Sequence, residues 1–348
     1  MINVLIVEDS LTESILLKGI IEAEPDMKVI GHARNGQEAV KMCATLKPDL
    51  ITMDIEMPVL DGIDATRLIM TQTPIPVVVI SSTVNNKLLN ATFKALEAGA
   101  VSVLQKPENI TSHEFVAQRT AMIDTLRSMA EIKVVKRRFN VKSAASVVKP
   151  FHVAVKSEHY EIIALGVSIG GPQVLNFILQ KLPVNFPLPI VIVQHMAPGF
   201  IEGFAKWLDE NVEIKVKLAG DHEILQAGTA YFAADGAHLT VVREGSHLKT
   251  KLVKSAPVSG FRPSATVLLE SVATACGQRA VGGLLTGMGN DGAQGLLELK
   301  NKQGTTFIQD QDSAVVWGMA GVAQSLGAAE QVVKLDDIAS YLLQIVKK

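Results

Sequence analysis

Ser168 lies in a pattern that could supply a nucleophile for acyl transfer. The run Gly166-Val167-Ser168-Ile169-Gly170 fits G-x-S-x-G. This pattern is typical of a tight turn between a strand and a helix, where the serine hydroxyl is exposed and backbone N–H groups face a reacting carbonyl. Glycine-rich turns with a serine also bind phosphate groups. The pattern by itself therefore predicts either a nucleophile or a phosphate loop.

A nucleophilic serine needs a base within hydrogen-bond reach and an acid that orients the base. His195 directly follows the apolar run 189–194, and Asp291 lies in a glycine-rich loop after another apolar run. Because the carboxyl ends of parallel strands share one edge of a sheet, we expect both side chains near Ser168. We therefore predict Ser168 as nucleophile, His195 as base and Asp291 as orienting acid. Taken alone, Asp291 is better explained as an N-cap for a helix that begins near residue 293.

The chain order of the three residues leaves a second arrangement open. Most α/β-hydrolases have the order serine, acid, histidine. Asp221 or Asp235, combined with His238 or His247, would restore that order. These residues lie in the stretch 218–254, which is predicted to leave the parallel sheet as a β-rich excursion. We therefore rank them below Asp291 and His195.

A second group of polar side chains follows predicted strands in the first third of the chain. Glu8 and Asp9 end the first apolar run, Asp54 the third, Ser81 the fourth and Lys106 the fifth. Carboxylates that meet at one sheet edge repel one another unless a hard cation lies between them, and Mg²⁺ with oxygen ligands fits such a site. One carboxylate is then free to attack phosphorus. The sequence predicts Asp54 as phosphoryl acceptor, Glu8, Asp9 and Asp54 as metal ligands, and Lys106 and Ser81 as contacts to the phosphoryl oxygens.

Both groups depend on strands that alternate with helices. Short apolar runs separated by amphipathic segments of helix length recur along both halves of the chain, which favours two doubly wound parallel sheets. The predicted strands are residues 2–7, 29–31, 50–53, 77–80 and 101–104 in the first half, and 162–167, 190–194, 280–285 and 305–308 in the second.

Charge divides the chain into three parts. Residues 1–122 carry 10 basic and 15 acidic side chains, residues 123–156 carry 8 and 2, and residues 157–348 carry 15 and 18. The middle stretch lacks sustained apolar periodicity, so it predicts a linker between two domains. We predict domains at 1–122 and 157–348 with a linker at 123–156.

Composition excludes several classes of protein. A 348-residue chain with 48% hydrophobic and 20% charged residues suits two globular domains. The net charge of −2 gives no general attraction to nucleic acid or to an anionic membrane. The two cysteines, Cys43 and Cys276, do not support a disulfide framework or a zinc ribbon. Without a signal peptide or an apolar run of membrane-spanning length, the expected location is the cytoplasm.

Residues 2–122 resemble the receiver domains of two-component response regulators, on the strength of the Glu8, Asp9, Asp54, Ser81 and Lys106 set. The resemblance implies a flavodoxin-like fold, Mg²⁺ in the receiver domain and phosphorylation of Asp54 by a histidine kinase. It also implies that Ser81 and Lys106 switch the surface of the domain.

The whole chain resembles the chemotaxis protein-glutamate methylesterases, in which a receiver domain is fused to a serine hydrolase. The second half carries five motifs of that family, namely Gly166–Pro172, Gln194-His195-Met196, Gly228-Thr229-Ala230-Tyr231, Phe261-Arg262-Pro263-Ser264 and Leu285–Gly292. The family's nucleophile, base and acid fall on Ser168, His195 and Asp291. One departure is Ile169, which stands where the family usually has a threonine.

The second resemblance implies a Rossmann-like, three-layer catalytic domain that hydrolyses glutamate γ-methyl esters on chemoreceptor helices and releases methanol without a cofactor. It leaves open a second activity, the deamidation of receptor glutamines. The N–H groups of Ile169, Gly170 and Met288 are the candidates for stabilising the oxyanion. Methylated chemoreceptors and a histidine kinase are the expected partners, with no nucleic acid and no direct membrane insertion. Phosphorylation is expected to relieve a block of the active site by the receiver domain.

Two other functions stay open, and a third is disfavoured. The second domain could bind a receptor when phosphorylated without turning over an ester, or the protein could act in a signalling array unrelated to chemotaxis. A DNA-binding regulator is disfavoured because residues 157–348 are net acidic and lack a basic helix-turn-helix pattern.

Overall fold

The structure is a computed structural model that describes residues 1–81, 86–106, 113–132, 134 and 159–346. The chain divides into two compact units, residues 1–144 and 145–348. In the part of the chain that is described, no helix is long and apolar enough to cross a bilayer.

The first unit is a five-stranded parallel sheet with the strand order β2-β1-β3-β4-β5. The predicted flavodoxin-like, doubly wound sheet is confirmed. The order reverses between β1 and β3, so Glu8 and Asp54 follow the two strands that flank the switch point. The elements are β1 (Ile2–Val7), α1 (Leu11–Glu22), β2 (Met27–Ala33), α2 (Gly36–Leu46), β3 (Leu50–Met53), α3 (Gly62–Gln72), β4 (Val77–Ser81), α4 (Asn86–Ala98), β5 (Ser102–Gln105) and α5 (His113–Ala130).

The second unit is a seven-stranded sheet with the order β14-β13-β12-β6-β7-β9-β8, all of whose neighbouring pairs are parallel. An antiparallel hairpin, β10 with β11, lies outside it. The elements are β6 (Ile162–Val167), α6 (Gly171–Leu179), β7 (Ile190–Gln194), α7 (Ile201–Asn211), β8 (Lys215–Leu218), β9 (Thr229–Phe232), β10 (His238–Glu244), β11 (His247–Val253), α8 (Ala265–Cys276), β12 (Ala280–Leu284), α9 (Ala293–Asn301), β13 (Thr305–Gln309), α10 (Met319–Ser325), β14 (Gln331–Val333) and α11 (Leu335–Ile345).

The central strands of this sheet are buried along their whole length. Every residue of β6, β7 and β12 is buried, because a parallel sheet is covered by helices on both faces and its strands then read as continuous apolar runs. The order reverses between β6 and β12. The carboxyl ends of β12, β6 and β7, which are neighbours in the sheet, therefore border the crevice in which functional groups of such folds gather.

The sequence predicted the central strands but missed β8, β9 and β14. The stretch 218–254, expected to leave the sheet, contributes β9 to it, and only the β10–β11 hairpin leaves. The three strands are three or four residues long, and β8 and β14 are the edge strands of the sheet. The charged residues of β8 and the exposed ones of β14 interrupt the apolar signal, so tertiary pairing rather than local pattern places them.

Helix α5 continues to Ala130, past the predicted domain end at residue 122. Ile123, Leu126 and Met129 are buried along it at the spacing of one helix face. The first eight residues of the predicted linker are therefore helical, which corrects its start. Residues 133 and 135–156, with most of the predicted linker and its basic cluster, lie outside the described residues.

Candidate active site

Ser168 occupies a tight turn between β6 and α6. Gly170 begins the helix with a φ of +75°, a conformation that favours glycine. Gly166 is required by packing, since a Cβ there would lie 2.6 Å from the Leu284 side chain. Ser168 is buried, and its N–H donates to the Thr286 carbonyl at 3.0 Å. The structure thus contains the strand-to-helix turn that G-x-S-x-G predicts.

His195 lies beside Ser168 at the end of the neighbouring strand. Val167 of β6 pairs with Gln194 of β7, and the His195 N–H donates to the Val167 carbonyl at 2.9 Å. The ladder therefore continues for one residue beyond the strand and places His195 opposite Ser168. Parallel neighbours in a sheet lie about 4.8 Å apart, so the register brings the predicted nucleophile and base together.

Asp291 approaches His195 from the loop after β12. His195 Nε2 lies 2.9 Å from Asp291 Oδ2, and the aspartate side chain is fully buried. Both ring nitrogens are buried, and among the described residues neither meets hydrogen-bond geometry, so the Nε2 contact to Asp291 is a close approach of charge and Nδ1 has no partner. The imidazole thus has one nitrogen against a carboxylate and one directed elsewhere, which is the arrangement a base requires.

The Asp291 carboxylate lies at the N-terminus of helix α8. It accepts hydrogen bonds from Ser264 Oγ at 2.6 Å, from the Ala265 N–H at 2.7 Å and from the Thr266 N–H at 3.1 Å. Burial alone would raise the pKa of this carboxyl, but the His195 contact and the hydrogen bonds from Ser264 and Ala265 outweigh it and lower the pKa to about 2. Asp291 is therefore a fixed negative charge at neutral pH.

The prediction that Asp291 caps the helix beginning near residue 293 is wrong. Helix α9 does begin at Ala293, but its N-cap is Gly292 and no side chain caps it. The Asp291 carboxylate instead accepts hydrogen bonds from the first two N–H groups of α8, a helix that precedes it in the chain. This cap is a tertiary contact, which no local pattern around residue 291 could have indicated.

The low pKa of Asp291 predicts a pH-dependent contribution to stability. A carboxyl whose folded pKa of about 2 lies below its ordinary 3.8 stabilises the fold above pH 4, and this contribution is lost as the pH falls through 2. Relative to Asp291→Asn, we expect a contribution of about 2 kcal/mol at pH 5 and about 1 kcal/mol at pH 3.

Urea unfolding followed by tryptophan fluorescence measures that contribution in the full chain. The two tryptophans, Trp207 and Trp317, both lie in the second unit, so the signal reports on that unit alone. A difference between wild type and Asp291→Asn that is the same at both pH values would contradict the assignment of the low pKa.

Four residues without a predicted role contact the predicted triad. The Phe261 ring stacks on His195 with centroids 3.9 Å apart and planes 3° from parallel. Ser264 contacts Asp291, while Gln194 and Thr286 contact the backbone of Ser168. Phe261, Ser264, Gln194 and Thr286 belong to or adjoin the family motifs, which is the one signal that could have indicated them.

The alternative acids and histidines are held by other contacts. The fully buried His238 accepts from the Ser264 N–H at Nδ1 and donates from Nε2 to the Ala256 carbonyl. Asp221 accepts from the Leu252 N–H, and Asp235 accepts from the Gly199 N–H. His247 is an exposed residue at the tip of the β10–β11 hairpin. The assembled pair in the structure is His195 with Asp291.

The candidate oxyanion donors lie around Ser168. Ile169 and Gly170 follow it in the turn, and in the described part of the chain no acceptor faces either N–H. Met288 follows Gly287, which packs so closely that a Cβ on it would lie 2.7 Å from Ser168 Cβ. The turn and the loop after β12 thus border the same side chain.

The first unit gathers a separate group of charges at the ends of β1, β3 and β5. Lys106 Nζ lies 3.0 Å from Glu8 Oε2, 3.0 Å from Asp54 Oδ2 and in contact with Glu13. Burial and the nearby Asp54 raise the pKa of Glu8 to about 7. Burial also raises the pKa of Asp54, although Lys106 opposes that effect. Burial alone would lower the Lys106 pKa, but its carboxylate partners raise it above the ordinary value.

The acidic side chains that the structure brings together share Glu8 and Asp54 with the predicted metal ligands. Oxygens of Glu8, Glu13 and Asp54 all lie within 4.8 Å of one another, a spacing that a divalent cation could bridge. Asp9 is exposed. Glu13, the third member of the group, has no role predicted from the sequence because it lies in the first turn of α1, not at a strand end. Burial is the largest cause of the raised pKa of Glu8 and of Asp54, and a cation between these carboxylates would oppose that effect.

Ser81 completes the group of predicted residues in the first unit. It is the last residue of β4, is buried, and pairs with Gln105 of β5. Its carbonyl accepts from the Lys106 N–H at 3.0 Å. Ser81, Lys106 and Asp54 therefore end strands of one sheet edge, as predicted.

Two family descriptions match the chain. "CheB methylesterase" matches residues 163–342, and "Response regulator receiver domain" matches residues 4–114. A relative from Methanospirillum hungatei, named protein-glutamate methylesterase/protein-glutamine glutaminase 2, is 41% identical and covers 100% of this chain and 99% of its own. A relative from Myxococcus xanthus, with the same name but the number 4, is 45% identical over 98% of this chain and 96% of its own.

A solved structure matches the second unit. The crystal structure of the Thermotoga maritima CheB methylesterase catalytic domain is 35% identical, with a TM-score of 0.53, and covers 53% of this chain and 98% of that chain. The fold of the second unit is therefore similar to that of a methylesterase catalytic domain.

Proposed function

The chain belongs to the CheB methylesterase family and carries a response regulator receiver domain, and we propose that it hydrolyses glutamate γ-methyl esters on cytoplasmic helices of chemoreceptors. Ser168, His195 and Asp291 are the proposed catalytic residues. The observation that carries the proposal is the fully buried Asp291 carboxylate, which lies 2.9 Å from His195 at the strand end next to Ser168.

The proposed reaction begins with proton transfer from the Ser168 hydroxyl to His195 Nδ1, the buried nitrogen on the side away from Asp291. The serine oxygen attacks the ester carbonyl and forms a tetrahedral oxyanion. Asp291 holds the ring and stabilises the imidazolium, since its carboxylate stays ionised. N–H groups of Ile169, Gly170 and Met288 would stabilise the oxyanion.

Collapse of the oxyanion breaks the bond to the methoxy oxygen, which takes the proton from His195 and leaves as methanol. A glutamyl ester of Ser168 remains. Water then attacks that ester, gives its proton to His195, and the serine oxygen leaves with the proton restored. The products are a free glutamate and the unchanged enzyme.

The same residues would deamidate glutamine, with ammonia in place of methanol. An amide is a poorer electrophile than an ester, so this reaction depends more on protonation of the leaving nitrogen by His195. The relatives' names include protein-glutamine glutaminase, which supports deamidation as a second activity of the same site.

The receiver domain is proposed to accept a phosphoryl group from a histidine kinase on Asp54. Mg²⁺ would be held by Asp54 and Glu8 with Asp9, the predicted ligand, or with Glu13, whose carboxylate oxygen lies within 4.8 Å of those of Asp54 and Glu8. The ion would offset the negative charge between these carboxylates and the phosphoryl donor. Lys106 and Ser81 end the neighbouring strands and would contact the phosphoryl oxygens.

Phosphorylation is proposed to relieve an inhibition of the esterase by the receiver domain. In Asp54→Asn, acetyl phosphate should no longer raise the rate of methanol release, because the amide cannot accept the phosphoryl group. The ratio of the rates with and without acetyl phosphate should then be one. Methanol release over time by both proteins is the measurement. Asp64→Asn, a change of an exposed carboxylate on α3, serves as the matched control and should keep the stimulation. Stimulation that survives in Asp54→Asn would rule out Asp54 as the regulatory acceptor.

The esterase proposal itself is tested by incubating the full chain with membranes that contain receptors carrying radiolabelled methyl esters. We expect volatile methanol to appear as the receptors lose label. Receptors that keep their methyl groups while the receiver domain becomes phosphorylated would point to a binding regulator without esterase turnover.

A further inference from the structure

The peptide groups that follow Ser168 are fixed by hydrogen bonds to their carbonyl oxygens. The Ser168 carbonyl accepts from the Gly171 N–H at 2.9 Å and from Gln194 Nε2 at 2.8 Å. A trans peptide directs its C=O and N–H to opposite sides. The N–H of Ile169, which belongs to the same peptide group, therefore points away from these two donors.

The next peptide group is held in the same way by a different side chain. The Ile169 carbonyl accepts from Thr286 Oγ1 at 2.8 Å. The Gly170 N–H, on the opposite side of that peptide, points away from Thr286. Neither this N–H nor that of Ile169 meets an acceptor among the residues that the structure describes.

The loop after β12 repeats the arrangement. The Gly287 carbonyl accepts from the N–H groups of Gly318 at 2.9 Å and Met319 at 3.0 Å. This directs the N–H of Met288 to the other side of its peptide. Gly287 itself packs against the Ser168 side chain. All three candidate oxyanion donors therefore belong to peptide groups whose carbonyls are fixed.

Thr286 connects the two segments that carry these donors. It is fully buried, and its hydroxyl accepts from the Val316 N–H at 3.0 Å while donating to the Ile169 carbonyl. Its own carbonyl accepts from the Ser168 N–H, and its own N–H donates to Gln309 Oε1 at 3.0 Å. Each polar group of Thr286 is used, so the residue cannot shift without breaking a bond next to Ser168.

Gln194 connects the nucleophile to the base. Its Nε2 donates to the carbonyls of Ser168 and His195, both at 2.8 Å, and its side chain is buried. A Cβ on Gly171 would lie 1.9 Å from Gln194 Oε1, so only glycine at that position leaves room for the amide. In the described part of the chain Gln194 Oε1 has no donor. Burying this oxygen without a donor costs desolvation free energy, which an apolar side chain of similar size would avoid.

We propose that Thr286 and Gln194 are positioning residues that orient the N–H groups of Ile169 and Gly170 toward the oxyanion. The inference rests on the proposed esterase function and deepens it. Donors that are fixed before the reaction stabilise developing charge without reorganising, which is why such sites lose activity when a donor turns away. Neither side chain contacts the reacting atoms in this assignment.

The decisive variant is Thr286→Val in the full chain, which keeps the shape of the side chain and removes the hydroxyl. We expect kcat for methanol release to fall by about 10- to 100-fold with KM changed by less than about twofold, because only the charged transition state loses stabilisation. Thr286→Ser keeps the hydroxyl and should stay within about threefold of wild type. Gln194→Met removes both donors of Nε2 and should lower kcat by about tenfold or more.

Thr306→Val is the matched control. The Thr306 hydroxyl is also fully buried. It donates to the Ala328 carbonyl at 2.7 Å and accepts from the Glu330 N–H at 3.2 Å, but it lies near the N-terminal end of β13. The two valine variants should therefore lose comparable stability in urea unfolding, while only Thr286→Val should lose kcat.

A trifluoromethyl ketone analogue of the glutamate ester gives a second readout, because the serine adds to it and forms a charged tetrahedral adduct. Thr286→Val should weaken its binding by the same factor as kcat, and Thr286→Ser should restore it. Equal kcat in Thr286→Val and Thr306→Val, or a loss of kcat with unchanged binding of the ketone, would overturn the inference. Wild-type protein without methanol release would overturn the esterase proposal instead.

Discussion

Replacing Ser168 by alanine should lower methanol release by a factor of about 10⁴ to 10⁶, because the covalent route is lost and only binding and oxyanion stabilisation remain. The fold should survive, since the backbone bonds of Ser168 to Thr286, Gly171 and Gln194 do not involve the hydroxyl. Radiolabelled receptor membranes measure the rate, and tryptophan fluorescence checks the fold of the second unit.

Ser340→Ala provides a control for the loss of a serine hydroxyl. The Ser340 hydroxyl is exposed and donates to a carbonyl of its own helix, α11. This variant should release methanol at the wild-type rate. A Ser168→Ala protein that keeps more than about a tenth of wild-type activity would show that another group is the nucleophile.

Asp291→Asn should lower kcat for methanol release by about 10⁴, the size of loss that follows when the orienting carboxylate of a serine hydrolase becomes an amide. The amide removes the charge that stabilises the imidazolium and can direct an N–H at His195 Nε2, which favours the wrong tautomer. It also places a neutral group against the donors of Ser264, Ala265 and Thr266. Steady-state kinetics of methanol release measure the change.

Asp235→Asn tests one of the two acids that could replace Asp291. The usual order of hydrolase residues favours Asp221 or Asp235, and burial raises the pKa of the Asp235 carboxyl. It accepts a hydrogen bond from the Gly199 N–H at 2.8 Å. We expect the Asp235 variant to stay within about threefold of wild type. The reverse result, an active Asp291→Asn and an inactive Asp235→Asn, would show that Asp235 orients the base.

The strand ends were the part of the site that the sequence could predict. Ser168, His195 and Asp54 each follow an apolar run long enough to be buried in a parallel sheet, and the topology then brings strand ends to one edge. The fold class followed from the same runs. What made these predictions possible is that burial on both faces leaves a continuous apolar signal in the sequence.

The contacts that complete each site depend on tertiary packing. In the sequence, Glu13 is indistinguishable from other acidic residues in the first turn of a helix. Its contact with Lys106, 93 residues later, arises only in the folded domain. Ser264 caps its own helix, as local pattern would suggest, and its link to Asp291 exists only because α8 begins beside the loop after β12. Thr286 and Gln194 are single polar residues at the ends of apolar runs, where spacing alone does not distinguish packing from function.

Covalent labelling of Ser168 tests most directly whether this residue is the nucleophile, on which the proposed esterase reaction depends. A fluorophosphonate reacts with an activated serine hydroxyl and leaves a stable phosphonyl ester, which mass spectrometry of the digested full chain locates. We expect one label, on Ser168, with methanol release lost in proportion to labelling, and slow labelling in Asp291→Asn. Full labelling elsewhere, or esterase activity that persists while Ser168 is fully labelled, would contradict the triad.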